Sequence, residues 1–521
     1  MDKSRDSHAT LRSISSPSWA DRILSLAVFG ILFLTLYPFQ FNFHVNLPPG
    51  HPPIFLGTTY RISGFGDFTL NVLLFIPFGF GLAEQLLERS WKAKAAFYTT
   101  WAAGLALSYF VELSQLYIPG RDSGWEDVFT NSTGAALGFV LFHYAGGAVL
   151  ASLRTLENWF RVSLTIGRTA LLVAVYAALW FALSAYLQQD TNLSDWTSQA
   201  SLFIGGDPPS RGASAWKGSM SLVQIWDHAI PTREAEKLTS ASAPIPNPPS
   251  ASFDFTGGPP YRDTKSALPD LVWIGHAPFP DSSAAPNFSG RNLLASSSAV
   301  SILVDAIRKT NQFSIHFVGA ASEVAPQGER VICLMQPFGP VNMHVQQDQT
   351  SMVLWLRNPI TARRAFLAWY IPNVFIPGKT RNVLVTYDGA DFAATVDGVT
   401  YPRHYRLGPG TRAAEIFRRV IPAELDGYTY LYEALIFGPV GLLLGLGTIR
   451  GDSRQKLGLV ILVAATVASP LIYQLTLSRV SHRPILLHFL IVEMALILLA
   501  AFWINADGEH GRAASSHAHV A

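Results

Sequence analysis

Glu112, Gln115, Arg121, Asp127 and Asn131 stand between or inside two apolar runs long enough to cross a membrane. Ionisable groups at that depth are costly and mark functional sites by default. A carboxylate with an amide one turn away, beside an arginine able to grip phosphate or carboxylate through two parallel hydrogen bonds, suits the head group of a lipid-linked substrate. Glu112 and Asp127 are also the candidates for a general base if the site is catalytic. The alternative is an ion-pair and amide network that locks helices together without a ligand.

The elements that must position these groups are helices. At a rise of 1.5 Å per residue, Glu112 lies about 10 Å inside Pro119, and Gln115 is one turn nearer the outer surface on the same face. Ser108 continues that face inward. In the next segment Asp127 and Asn131 are four apart, and Gly134 and Gly138 extend their face with residues small enough to let a neighbouring helix approach. Asp67 and Asn71 repeat the four-residue spacing at the outer end of the preceding segment. Three helices are therefore expected to converge in the outer half of the membrane, with Arg121 in the joining loop as counter-charge. The binding candidates are Asp67, Asn71, Glu112, Gln115, Arg121, Asp127 and Asn131. Mid-helix Pro77 and Gly79 predict a kink nearby.

Composition sets the larger frame. Of 521 residues 49% are hydrophobic and 14% charged, the mean hydropathy is +0.24, and the apolar residues come in blocks, as in an integral membrane protein. Eight runs are predicted to span: Ile23–Phe43, Phe68–Leu87, Ala95–Ile118, Trp125–Leu150, Thr169–Leu187, Tyr428–Ile449, Leu457–Leu477 and Ile485–Ile504. The first is read as an uncleaved helix rather than a signal peptide, because it is long and no small-x-small site closes it. Basic clusters at Lys3, Arg5, Arg12 and Arg22, at Arg89, Lys92 and Lys94, at Arg154, Arg161 and Arg168, and at Arg450, Arg454 and Lys456 all fall on one side of this arrangement, which the positive-inside rule makes cytoplasmic. The expected fold class is mixed: a polytopic α-helical membrane bundle of about eight transmembrane helices with an extracytoplasmic all-β sandwich. The expected location is the inner (cytoplasmic) membrane, multi-pass, with residues 189–426 extracytoplasmic.

The expected division is a cytoplasmic segment at 1–22, a five-helix membrane unit at 23–188, the outer region at 189–426, a three-helix membrane unit at 427–505 and a disordered cytoplasmic tail at 506–521. The stretch Asn46–Gly66, with four prolines, reads as an outer loop. The outer region is loop-rich through Pro249, with a linker from Ala243. Short β-branched and aromatic segments then predict strands at Val300–Val304, Phe313–Val318, Arg330–Leu334, Met352–Leu356, Arg381–Tyr387 and Phe392–Val396, placing the sandwich core at about 250–410. Asp388-Gly389 and Asp397-Gly398 are hairpin signals, and their aspartates read as turn residues rather than metal ligands. Trp355, Trp369 and Tyr370 are available either to stack on sugar or to fill the core.

One cysteine, Cys333, excludes an intrachain disulfide and a multi-cysteine metal site. No metal and no cofactor is predicted. Near-balanced charge, 38 basic against 36 acidic residues, offers no surplus for nucleic acid. The expected partners are membrane lipids, an envelope glycan or lipid-linked glycan, and a candidate protein partner at the sandwich, with no nucleic acid.

An internal repeat is suggested by Leu74-Phe75-Ile76-Pro77-Phe78-Gly79 and Ile436-Phe437-Gly438-Pro439-Val440-Gly441. Leu475 or Thr476 stands where the first copy has Glu112, so the second copy, at about 428–505, is expected to have kept packing and lost the acids. Glu84, Glu433 and Glu493 read as lone acids that snorkel or pair in the core.

The set Asn71-x-x-x-Phe75-x-Pro77-x-Gly79, Glu112-x-x-Gln115, Arg121, Asp127-x-x-x-Asn131-x-x-Gly134-x-x-x-Gly138 resembles the VanZ-like membrane family over about residues 25–150. That family takes its name from a factor associated with glycopeptide antibiotic resistance; the resemblance implies a place in the cell envelope, but no established reaction or cofactor. Thr310-Asn311-Gln312-Phe313-Ser314, Met352-Val353-Leu354-Trp355-Leu356-Arg357, Val383-Leu384-Val385-Thr386-Tyr387-Asp388-Gly389 and Val396-Asp397-Gly398 resemble the concanavalin A-like, laminin-G-type sandwich. That resemblance implies carbohydrate or protein binding. The combined expectation is an envelope protein that binds a glycan or glycan-lipid through the sandwich and the polar cluster. The alternatives are an enzyme acting on a lipid-linked envelope intermediate and a scaffold whose sandwich captures a protein.

Overall fold

The computed structural model describes residues 19–37, 39, 41, 65–118, 124–208, 216–241, 247–265, 267–275, 286–363, 368–402, 405–417, 425–448 and 455–505. Most of the Asn46–Gly66 loop, the run from Ala243 to Pro246, Arg121 and the tail fall outside them. The chain forms two compact units. One comprises Met1–Ala174, Pro439–Ala465 and Leu496–Ala521; the other comprises Val175–Gly438 and Thr466–Ala495.

Four helices open the first unit: α1 (Trp19–Leu36), α2 (Phe65–Glu88), α3 (Ala93–Gln115) and α4 (Trp125–Ser163). The helix α5 (Ile166–Gln188) follows. Among the described residues seven helices are long and apolar enough to span a membrane, by length and composition. The predicted third crossing, now α3, forms a 23-residue helix but is not one of the seven. Its Thr, Ser, Tyr, Trp and Gly residues dilute the hydropathy, while a face at Thr100, Gly104, Ser108, Val111, Glu112 and Gln115 is buried. The helix α4 runs 39 residues, about 58 Å, well past the Leu150 expected as its end and past the roughly 30 Å of a hydrocarbon core.

Glycines bring α2 and α4 together. A Cβ on Gly79 would overlap the Ala135 carbonyl, one on Gly134 the Val72 carbonyl, and one on Gly138 the Ile76 carbonyl. The small-residue face read from the sequence is thus the seam between these helices. Ala27, Ile31, Phe75, Phe78, Val111 and Ala135 fill the space among α1 to α4. At the other end of this unit Glu157 ties α4 to α1, accepting from Trp19 Nε1 at 2.8 Å, and Arg161 donates to the Ile504 carbonyl at 2.7 Å.

The second unit holds the strands: β1 (Ser201–Ile204), β2 (Lys217–Trp226), β3 (Ala251–Asp254), β4 (Leu271–Gly275), β5 (Asn287–Ser289), β6 (Asn292–Ser296), β7 (Phe313–Ala321), β8 (Ala325–Met335), β9 (Val341–Gln349), β10 (Ser351–Leu356), β11 (Trp369–Ile371), β12 (Arg381–Tyr387), β13 (Asp391–Val396), β14 (Val399–Thr400) and β15 (Tyr405–Arg406). One antiparallel sheet has the order β11-β10-β9-β8-β1-β6-β4. The other runs β14-β13-β12-β7-β2-β3, with β15 on β13 and β5 on β2. Inward residues of both, among them Ile204, Val331 and Leu354 against Val223, Phe317 and Val385, share one core, as in a β-sandwich.

Two expectations for this region change. The stretch before Pro249, read as loop-rich, supplies β1 and β2, each paired on both sides within its sheet, and the helix α6 (Thr232–Ala241). Glycine and serine in β2 hid an alternating strand whose Met220, Val223 and Ile225 are buried. The predicted strand at Val300–Val304 opens the helix α7 (Ser301–Thr310). Leu303, Val304 and Ile307 form one buried helical face, Arg308 and Lys309 suit the C-terminal end of the dipole, and Asn311 at φ 57° stops the helix. Four helices complete the chain: α8 (Pro409–Phe417), α9 (Leu425–Thr448), α10 (Gln455–Ser481) and α11 (Leu487–Asn505).

Candidate functional site

The predicted cluster assembles at the start of α4. Asn71 on α2 donates Nδ2 to Asp127 Oδ1 at 2.7 Å. Asn131, one turn further along α4, donates Nδ2 to Ser108 Oγ on α3 at 2.8 Å, and that hydroxyl lies 3.4 Å from the Asp127 carbonyl. Glu112 Oε2 accepts the Gly124 N–H at 2.8 Å. Gly124 immediately precedes α4, so this bond satisfies one of the donors a helix leaves open at its first turn, where the dipole also favours Glu126 and Asp127.

Glu112 and Asn131 are each only 3% exposed. Asn131 Oδ1 is buried and has no hydrogen-bond partner among the described residues. Gln115 departs from the cluster: three residues beyond Glu112 its side chain turns to α1 and donates Nε2 to the Thr35 carbonyl at 2.9 Å. Asp67 sits in the first turn of α2; its side chain and the whole of Arg121 lie outside the described residues.

A second buried constellation lies in the other unit, around two acids, Glu433 and Glu493, that read from the sequence as lone. Gln474 on α10 donates Nε2 to Glu493 on α11, and Arg483, between those helices, donates to Gln474 Oε1 at 2.6 Å. Glu433 on α9 is 2% exposed, Glu493 fully buried, and one oxygen of each has no hydrogen-bond partner among the described residues. In the C-terminal stretch Gln474 and Phe489 take the places of Glu112 and Asp127, so those acids are lost as expected, but two other acids are present. Each of Glu433, Gln474, Arg483 and Glu493 stands 362 positions after Asn71, Glu112, Arg121 and Asn131 respectively, with no insertion between them. That uniform spacing was the available signal. A register that puts Leu475 or Thr476 at the place of Glu112 is one or two residues off this spacing and passes over Gln474.

The second unit also has a cavity of about 670 Å³, with Gln312, Asp388, Asp391, Arg406, Tyr430, His482, His488 and Phe489 in its lining. Arg406 pairs with Asp391 through two hydrogen bonds, its guanidinium 4.0 Å from the centroid of the Phe489 ring. Burial, then the Asp391 charge, pushes the Asp388 carboxyl up to about 6. Asp388 accepts the Ala390 and Asp391 N–H groups at 3.0 and 2.7 Å, and Asp397 at φ 51° accepts the Asn382 N–H, so both close turns. None of the three aromatics singled out from the sequence lines the cavity. Trp369 is buried against Phe392, Trp355 stacks on His344 at 5.5 Å, and Tyr370 is exposed. Among the described residues no three His, Cys, Asp or Glu gather as a metal ion would need.

The VanZ/LLP1 family model matches residues 11–148. The segment carrying Asn71, Glu112, Asp127 and Asn131 is therefore VanZ-like, and the chain is a multi-pass membrane protein by its helices. Comparison with curated proteins and with solved structures gives no match.

Proposed function

We propose that this protein binds a glycan or glycan-lipid of the cell envelope at the polar cluster of α2, α3 and α4, with residues 189–426 on the extracytoplasmic side of the inner membrane. The observation that carries the reading is the buried Asn131 Oδ1. A buried acceptor left without a donor costs about 1–3 kcal/mol, and a ligand hydroxyl or amine would recover that. The acceptor lies in the same cluster as Glu112 and Asp127, whose carboxylates have several lone-pair directions each, so a ligand rich in hydroxyl groups suits the set.

Full-length protein in lipid nanodiscs, titrated with a polyprenyl-diphosphate disaccharide, tests this reading. Asn131→Ala is expected to weaken binding by about tenfold, which corresponds to ~1.4 kcal/mol. Wild-type affinity in both Asn131→Ala and Glu112→Gln would remove the support. Conversion of the disaccharide lipid to product by the wild type would favour an enzyme.

A further inference from the structure

The 362-residue correspondence extends from sequence to contacts. A Cβ on Gly441 would overlap the Ile497 carbonyl, as one on Gly79 would overlap that of Ala135, and each residue of the first pair stands 362 after its counterpart. The bond that opens α4, Asp127 N–H to the Gly124 carbonyl at 3.2 Å, has its counterpart at the start of α11, Phe489 N–H to the Leu486 carbonyl at 3.1 Å. The helices α9, α10 and α11 therefore repeat the local design of α2, α3 and α4, and the polar row is repeated with its chemistry exchanged. Where the first copy has amide, acid, amide at Asn71, Glu112 and Asn131, the second has acid, amide, acid at Glu433, Gln474 and Glu493.

The exchange alters the charge count. With every group ionised, the three carboxylates of Glu433, Glu493 and Asp391 face two guanidiniums, Arg406 and Arg483, and one negative charge is left over. Arg406 from β15 bears on Glu433 while paired with Asp391 from β13, so the pair adds no net charge to the count. Tyr432 and Tyr473 flank the cluster from α9 and α10. A carboxylate in such a place, with one oxygen of Glu433 lacking a hydrogen-bond partner among the described residues, would carry a heavy desolvation cost.

We propose that Glu433, Gln474, Arg483 and Glu493 form a second binding site, which takes up a single positive charge as a proton or a monovalent metal ion. Gln474 holds Glu493 and Arg483 through its two ends, and the unpartnered oxygens of Glu433 and Glu493 are the acceptors.

The test is infrared difference spectroscopy of the full-length protein in nanodiscs, in choline buffer from acidic to alkaline pH, with and without sodium chloride. A carbonyl-stretch band of a protonated carboxyl is expected in the wild type, bleaching on alkalinisation and absent from the Glu433→Gln/Glu493→Gln variant. Bleaching by sodium at constant pH identifies a metal ion that competes with the proton; no response to sodium identifies the proton alone. A wild-type spectrum without a band that responds to pH or sodium would overturn the proposal without recourse to any variant. So would a band unchanged in the double variant.

Discussion

The two polar rows share a spacing and differ in where the acid sits. In α2, α3 and α4 the central position is Glu112, and its carboxylate is spent on the open end of α4 through the Gly124 N–H. In α9, α10 and α11 the central position is Gln474, a neutral bridge between Glu493 and Arg483, and the acids occupy the flanks. A small-residue seam holds both arrangements, Gly79 against Ala135 in one and Gly441 against Ile497 in the other. The backbone design therefore fixes where polar groups meet and leaves their charge to be chosen. Acid in the centre suits a helix terminus and a hydrogen-bonding ligand; acids on the flanks leave a charge to be neutralised.

The sharpest way to break this comparison is to give both rows the same centre. Gln474→Glu adds a third carboxyl beside Glu493 and is expected to cost about 3–5 kcal/mol, the range for an uncompensated buried charge. Glu112→Gln keeps an acceptor for Gly124 and should cost about 1 kcal/mol. Thermal unfolding of both variants in detergent would show the asymmetry, and equal losses would contradict it. Next in size, Gly79→Leu and Gly441→Leu each force a side chain into a carbonyl and should lose about 1–3 kcal/mol or more, by matched amounts. A tolerated Gly441→Leu would break the correspondence at its clearest point. Smaller still, Asn71→Ala removes the 2.7 Å bond to Asp127 and should cost about 0.6–1.7 kcal/mol. Its counterpart Glu433→Gln removes an acid one of whose oxygens has no hydrogen-bond partner among the described residues, and should cost nothing measurable.

A fourth prediction concerns the sheets. Burial, then the Arg330 charge, depresses the His344 imidazole from the ordinary 6.5 to about 3. The folded protein therefore resists protonating it. Its contribution is full above 6.5 and is lost as the pH falls from 6.5 toward 3. His344→Gln should flatten that slope in urea unfolding compared at neutral and acidic pH, and an unchanged slope would place the titration elsewhere.

Much of this was legible in the sequence, for identifiable reasons. The helices announced themselves through apolar blocks, and the α2–α4 seam through Gly134 and Gly138 four residues apart. Asn71, Asp127 and Asn131 were found because four-residue spacing puts side chains on one face. What failed followed from rules that apolar content does not obey. The end of α4 was misplaced because charged residues such as Arg154 and Glu157 end a hydropathy run without ending a helix. Val300–Val304, where α7 opens, reads as a strand because five residues are too few to separate a period of 2 from one of 3.6. The strand β2 was missed among glycine and serine. The spacing of Gln115 from Glu112 fixes a face, while its hydrogen-bond partner depends on α1, which is 80 residues away in sequence. Glu433 and Glu493 looked solitary because the contacts that unite them cross 60 residues.

Asn131 offers the most direct test of the ligand site, because its two amide ends can be separated. Ser108→Ala deletes the protein-side acceptor of Asn131 Nδ2 and leaves Oδ1 in place; Asn131→Ala deletes both. In nanodisc titrations with the polyprenyl-diphosphate disaccharide, Ser108→Ala is expected to keep wild-type affinity while losing some thermal stability, and Asn131→Ala is expected to lose about tenfold in affinity as well. If both variants lose stability alike and neither changes affinity, the cluster is a lock between helices and the ligand site is refuted.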